Sequence, residues 1–240
     1  PILYLIIRAS EAGSDVWDLV FRARTAAVLW NTVQLAVAVG ITTSAIAVPL
    51  AWLVTRTDLK FRRVWATVLA LPLVIPSYAG ALAVIGALGP RGFVQGWLEP
   101  LGVDRLPSIY GFFGAWALLS LLTYPYVFLT VRSMMSRMDP ALEEAAMSLG
   151  RGPVRTFLTI TIPRLKPAIA AGVLLSMLYA ISDFGVVTLM RYDAFTRVIY
   201  TQYSASFDRT YAAVLGLFLV ALAVIVVWLE SRVRREARYH

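Results

Sequence analysis

The sequence predicts an all-α integral membrane protein: five full spans, a truncated first span and one polar helical hairpin between two of the spans. Three observations predict it. Of 240 residues, 59% are hydrophobic and only 15% charged, with mean hydropathy +0.72, which leaves too little polar surface to cover a soluble globule. Five stretches reach the length of about 20 apolar residues that a bilayer core requires. Between Asp139 and Pro167, a polar module interrupts them.

The elements follow in order. Pro1 to Ile7 is apolar but too short to span. Without an initiating Met or a charged flank it reads as the end of a first helix rather than a signal peptide, so residues 1–26 are expected to hold a truncated span and an outer loop. The full spans are Leu29 to Val54, Val64 to Leu88, Ile109 to Val131, Pro167 to Met190, and Tyr211 to Leu229. A short loop at Thr55 to Arg63 and longer ones at Gly89 to Ser108 and Arg191 to Thr210 connect them. Pro49, Pro72, Pro76 and Pro125 fall inside spans, where each removes a backbone donor and can kink the helix. Pro72 and Pro76, followed by Ser77, Tyr78 and Gly80, make the second span the one expected to bend and to border a cavity. Simple packing kinks are the plainer reading of the same prolines.

The polar module DPALEEAAMSLGRGPVRTFLTITIPRLKP reads as two short helices joined at a glycine. Asp139 suits an N-cap, Pro140 the first helical position, and Glu143 and Glu144 the positive end of the helix dipole. Gly150 supplies the left-handed residue that closes a helix. Gly152 and Pro153 permit a second start, with Val154, Phe157, Leu158 and Thr161 sharing one face until Pro163 is expected to end it. Small Ala145 and Ala146 beside Gly150 would let another protein approach closely.

Charge supplies the orientation. The clusters from Arg56 to Arg63, Arg132 to Lys166 and Arg232 to Arg238 hold fourteen of the 22 Lys and Arg residues, and Lys and Arg are retained on the cytoplasmic side. The hairpin is therefore expected inside. The net charge of +8 reflects the same bias and gives no reason to invoke nucleic acid. Residues 230–240 read either as a cytoplasmic tail or as the start of a connection to a second half.

Catalytic constellations are missing. Cysteine is absent, His240 is the single histidine, and neither Lys60 nor Lys166 sits in a G-x-x-x-x-G-K-[ST] phosphate loop. Nucleotide hydrolysis, thiolate metal sites and His-based chemistry are thus not expected of this chain. Asp183 is the one carboxylate inside a predicted span, at a cost of about 2.5 to 3.5 kcal/mol at a helix centre, so it should face protein or water. It either lines a path, with Ser182 and Tyr179, or fixes the packing of a neighbouring helix. Asp183-Phe184-Gly185 also reads as a local helix break.

Glu144-Ala145-Ala146, Gly150, Phe157, Ile160 and Pro163 resemble the EAA loop of binding-protein-dependent ABC importer permeases of the type I fold. The resemblance runs from about Ala27 to Leu229, beginning with the Asn31-Thr32 pair common at the first core helix. LPLVIPSYAGAL at Leu71 to Leu82 and ISDFGVVTLMRYDAFTRVIYTQY at Ile181 to Tyr203 are similar to the amino-terminal half of ferric-iron permeases. That family usually fuses two such halves in one chain.

The resemblance implies a division of labour. The domain over residues 27–229 would form half of a translocation path in the bacterial inner membrane, against a second permease half, and a periplasmic binding protein would deliver substrate. The coupling loop, residues 139–167, would dock to a cytoplasmic ATPase that holds the ATP and Mg, through Glu144, Ala145, Ala146, Gly150, Phe157 and Pro163. For Glu144 the plainer alternative is that it only favours the helix amino end. Asp183, Ser182, Tyr179, Ser77 and Tyr78 would line the path, with no resident metal. Arg191, Asp193, Arg197 and Asp208 would meet the binding protein, or else are solvated loop charges. Ferric iron is the expected cargo, with thiamine, polyamines or phosphonates as alternatives. A secondary transporter would need repeated halves and several ion-coupling acids, and a membrane enzyme a polar cluster at membrane depth. The sequence has neither.

Overall fold

The computed structural model describes residues 2–10, 23–90, 92–102, 105–205 and 210–236, and most of these are helical. Four helices are long and apolar enough to cross a membrane: α2 (Ala23–Arg56), α6 (Phe112–Met135), α8 (Pro153–Ser182) and the Thr210–Leu229 part of α11 (Thr210–Glu236). A bent pair of segments makes a fifth if it is counted as one span.

That pair is the predicted second span. It holds α3 (Arg62–Val68), a 3₁₀ turn (Leu71–Val74) and α4 (Ser77–Leu88), and the arm Arg62–Val74 meets the arm Ser77–Leu101 at 96°. Proline causes the corner. Ile75 precedes Pro76 and is pushed out of the helical region to ψ 116°, while Pro76 itself is extended at ψ 135°.

Other boundaries also differ from the sequence expectation. The loop at Thr55 to Arg63 is shorter, because α2 runs on to Arg56. The two longer loops carry helices of their own, α5 (Phe93–Leu98) and α10 (Phe195–Ala205). Pro163 does not end the second hairpin helix. It sits in the first turn of Ile162–Ser182, after a π turn over Phe157–Thr161, so the hairpin's second arm and the fourth span are one helix. The wider register of the π turn places the missing proline donor at an existing break in the α-helical ladder. That helix stops at Ser182 rather than Met190, and α9 (Gly185–Leu189) follows separately.

The core is the mutual packing of α2, α6 and α8, with α11 laid against α8 and α1 (Ile2–Ser10) against α11. Leu35, Val39, Ala115, Leu119, Val186 and Met190 fill the outer half of the bundle, and Ala47, Ala51, Val127, Phe128, Val131 and Leu165 the basic half. The approach of α8 to α6 depends on Gly172. A Cβ there would lie 2.6 Å from the Val127 Cα and 2.5 Å from the Thr130 Oγ1. One turn on, the Ser176 hydroxyl donates across the same interface to the Thr123 carbonyl at 3.2 Å. Small residues at a crossing let membrane helices gain dispersion contacts that lipid would otherwise supply.

Candidate functional site

The hairpin forms as its sequence predicts up to Gly150. Asp139 Oδ1 accepts the Ala141 N–H at 3.0 Å, and α7 (Ala141–Ser148) carries both glutamates in its first turn. Gly150 adopts φ +85°, the Arg151 N–H returns to the Ala146 carbonyl at 3.1 Å and the Gly150 N–H to the Met147 carbonyl at 2.9 Å. This paired closure satisfies carbonyls that a helix end leaves free.

The two glutamates take opposite roles. Glu143 is 6% exposed; its Oε2 lies 3.3 Å from the Arg56 Nε, and its Oε1 accepts the Thr161 hydroxyl at 3.1 Å. Arg56 also donates from Nη2 to the Met138 carbonyl at 3.0 Å. The end of α2, the start of the hairpin and the π turn of α8 are thereby tied at one point. Sequence reasoning assigns Glu143 a helix-dipole role and Arg56 a place in a basic cluster, but not their pairing. The available signal was spacing, since Glu143 and Ala146 share a face of α7 and both are buried. Glu144 is exposed, with no ion pair among the described side chains.

Of the other expected docking residues, Ala145, Gly150 and Pro163 are exposed. Ala146 is covered by its own chain, and Phe157 is half-buried with its ring 5.1 Å from that of Trp52, so these two seat the hairpin rather than present it. Around Glu144 the hairpin displays an uncovered apolar surface: Leu149 is 85% exposed, and Leu142, Met147, Val154 and Leu158 are exposed as well. Clustered apolar exposure in one short hairpin is the kind of surface that interaction sites use.

At the opposite end of α8, Asp183 is 7% exposed and turned onto its own chain. Its Oδ2 accepts the Val186 N–H at 2.8 Å, the Ser77 hydroxyl bonds the same carboxylate, and its carbonyl accepts the Thr196 hydroxyl at 2.7 Å. Gly185 makes the junction possible, since a Cβ there would lie 2.9 Å from both the Ser77 Oγ and the Tyr78 backbone N. Asp183 therefore joins α8, α9 and α4 through its carboxylate and α10 through its main-chain carbonyl. Among the remaining expected path residues, Tyr179 packs its ring 6.0 Å from that of Tyr126, and the exposed Ser182 returns its hydroxyl to the Leu178 and Tyr179 carbonyls. Tyr78 is 52% exposed.

Asn31 and Thr32 pin the segment beyond this break. Asn31 donates to the Asp193 carbonyl at 3.1 Å and its own carbonyl accepts the Tyr192 hydroxyl at 2.9 Å, while the Thr32 hydroxyl accepts the Phe195 N–H at 3.0 Å. Burial pushes the Tyr192 phenol up to about 12, so it remains a donor at neutral pH. Arg191 lies over the Tyr110 ring at 4.8 Å, and Asp193 pairs with Arg197. Asp208 lies outside the described residues. A cavity of about 370 Å³ opens here, with Arg24, Thr25, Asp193, Arg197, Gln202 and Tyr211 among its lining residues.

Comparison with known proteins gives consistent results. The family described as "Binding-protein-dependent transport system inner membrane component" matches residues 44–239. A Fe(3+)-transport system permease protein FbpB 2 from Haemophilus influenzae is 33% identical over 242 residues, covering 100% of this chain and 44% of that protein. The chain thus spans less than half the length of that relative. A probable molybdenum ABC transporter permease protein from Haloferax volcanii is 30% identical over 95% of this chain and 82% of its own length. A probable sulfate transport system permease protein cysT from Prototheca wickerhamii is 27% identical over 82% and 78%. Among solved structures, a bacterial alginate ABC transporter in complex with alginate pentasaccharide-bound periplasmic protein aligns with TM-score 0.70 at 17% identity, covering 99% of this chain and 88% of that one. The inward-facing MetNI methionine ABC transporter aligns with TM-score 0.67 at 16% identity, covering 88% and 95%. These likenesses establish the fold.

Proposed function

The chain belongs to the family of binding-protein-dependent transport system inner membrane components, and from that membership we propose that it is the non-catalytic permease subunit of an ATP-driven importer, forming half of a translocation path with a second permease half. The observation that carries the reading is the hairpin: an ordered, capped, apolar knob, uncovered in the chain alone and locked to α2 and α8 through Glu143. A cytoplasmic ATPase subunit is the partner that such a knob fits, and ATP and Mg²⁺ belong to that subunit. Its closure would shift the hairpin and, through α8, bias the bundle between two arrangements. A periplasmic binding protein would approach the opposite end, near Arg191, Asp193 and Arg197.

Ferric iron is the cargo we propose. The relative named for it is 33% identical over the whole chain, against 30% for the molybdenum permease and 22 to 27% for the sulfate permeases. An oxyanion importer is the second reading, carried by those relatives. The test is uptake into proteoliposomes holding the permease, its ATPase and the cognate binding protein. ATP-dependent accumulation of ferric iron, unaffected by excess sulfate or molybdate, is expected. Accumulation of the oxyanions instead would assign the second reading, and no ATP-dependent transport of any solute would remove the importer reading.

A further inference from the structure

Three arginines from two elements face one space at the basic end of the bundle. Arg62 and Arg63 of α3 and Arg132 of α6, with Arg56, Thr55 and Ser136, line a pocket of about 350 Å³ between the ends of α2 and α6. Arg56 is held by Glu143, but no carboxylate among the described side chains lies within 4 Å of the other three guanidinium groups. The nearest acid in sequence, Asp58, lines an adjoining space shared with Arg62 and Arg63 and pairs with neither. Like charges gathered without a counter-ion repel one another, and an anion seated among them relieves that repulsion.

The surroundings identify the anion's carrier. Val64, Trp65 and Val68 follow one another at helical spacing on α3, Phe61 immediately precedes the helix, and all four are exposed. The same short helix thus offers arginines to one side and an uncovered apolar stripe to the other, with only Ala66 buried against the bundle. Phe61 contributes at some cost, since it holds φ +61° while its ring stays 69% exposed. A free inorganic anion would use the pocket and leave the stripe uncovered. A molecule with a phosphate head and acyl chains covers both.

We propose that this pocket binds the phosphate head of an anionic phospholipid, with the acyl chains lying along Phe61, Val64, Trp65 and Val68. The site adjoins the docking hairpin and needs no ATPase to form. Because Arg56 belongs to both, a bound head group sits next to the Glu143 tie.

Trp65 reports on the site directly. The full chain is placed in phosphatidylcholine nanodiscs containing a minor fraction of lipid with brominated acyl chains, either phosphatidylglycerol or phosphatidylcholine, and the Trp65 signal is taken by difference from Trp65→Phe. Brominated phosphatidylglycerol should quench Trp65 preferentially, with local enrichment on the order of tenfold. Arg62→Gln/Arg63→Gln/Arg132→Gln should abolish the preference, and the corresponding triple Lys variant should keep it. Should the triple Gln variant fail to elute as the wild type does, Arg63→Gln alone serves, with a partial loss expected. Equal quenching by both head groups, or a preference that survives the Gln changes, overturns the proposal. So does loss of the preference on adding inorganic phosphate, which would assign a free-anion site, or on adding the ATPase subunit, which would assign the surface to a protein contact.

Discussion

Glu143 and Glu144 are adjacent, chemically identical and differently employed, so they separate the structural role of the hairpin from its proposed docking role. Removing the Glu143 carboxylate leaves Arg56 half-buried without its counter-ion and the Thr161 hydroxyl without its acceptor. Glu143→Ala should cost about 2 to 3 kcal/mol of local stability. It should appear as faster amide exchange across Ala141–Ser148 and lower thermal stability in detergent. Glu144→Lys should leave both unchanged and instead lower the affinity of the ATPase subunit, measured by co-purification and by transport-coupled ATP hydrolysis. Equal loss of hairpin order in the two variants would show that Glu144 is not a surface contact. Gly150 is the other informative residue. Nothing lies within 4 Å of where its Cβ would be, so Gly150→Ala meets no clash and reports only the left-handed backbone, at about 1 kcal/mol. Exchange of the Gly150 and Arg151 amides is the measurement, and Gly150→Asn should be milder.

At the scale of elements, helix crossings depend on glycines whose neighbours differ sharply. Gly172→Ala forces α6 and α8 apart, because its Cβ meets backbone at Val127, and should cost about 1 to 3 kcal/mol. Gly86→Ala in α4 meets open space and should stabilise by about 0.5 to 1 kcal/mol through helix propensity alone. Thermal unfolding of the two variants side by side checks both signs. Much of this architecture was legible in the sequence. Hydrophobic length located the spans, Asp139 and Gly150 bounded the first hairpin helix, and Pro72 with Pro76 marked the corner. What escaped was whatever depends on a distant partner. Glu143 pairs with a residue 87 positions earlier, which no local pattern encodes. Pro163 looks like a terminator until the π turn before it is seen. The apolar run through Met190 hid the stop at Ser182, since a short buried helix after a break is as hydrophobic as a continued span.

For the whole molecule, the two ends of the bundle are organised differently. The basic end is fastened by charge, at Glu143 and Arg56, while the outer end is fastened by hydrogen bonds between the side chains of Asp183, Asn31 and Thr32 and backbone groups. The Asn31-Thr32 pair, noticed in the sequence as part of a resemblance, has a physical reason: it holds residues 192–195 to α2. Thr32→Val removes the acceptor for the buried Phe195 N–H and should cost about 1 to 2 kcal/mol. Loosening there should reduce stimulation of ATP hydrolysis by the loaded binding protein while leaving ATPase co-purification intact. Loss of co-purification instead would mean that the outer end supports the entire fold.

The loop-free course of Pro153–Ser182 sets an expectation for the timing of the proposed working cycle. Thirty helical residues extend about 45 Å, and no loop within them offers slack. A nudge to the hairpin and a shift at the outer break are then expected together, not in succession. A state in which one face has responded and the other still waits would require the π turn to come undone.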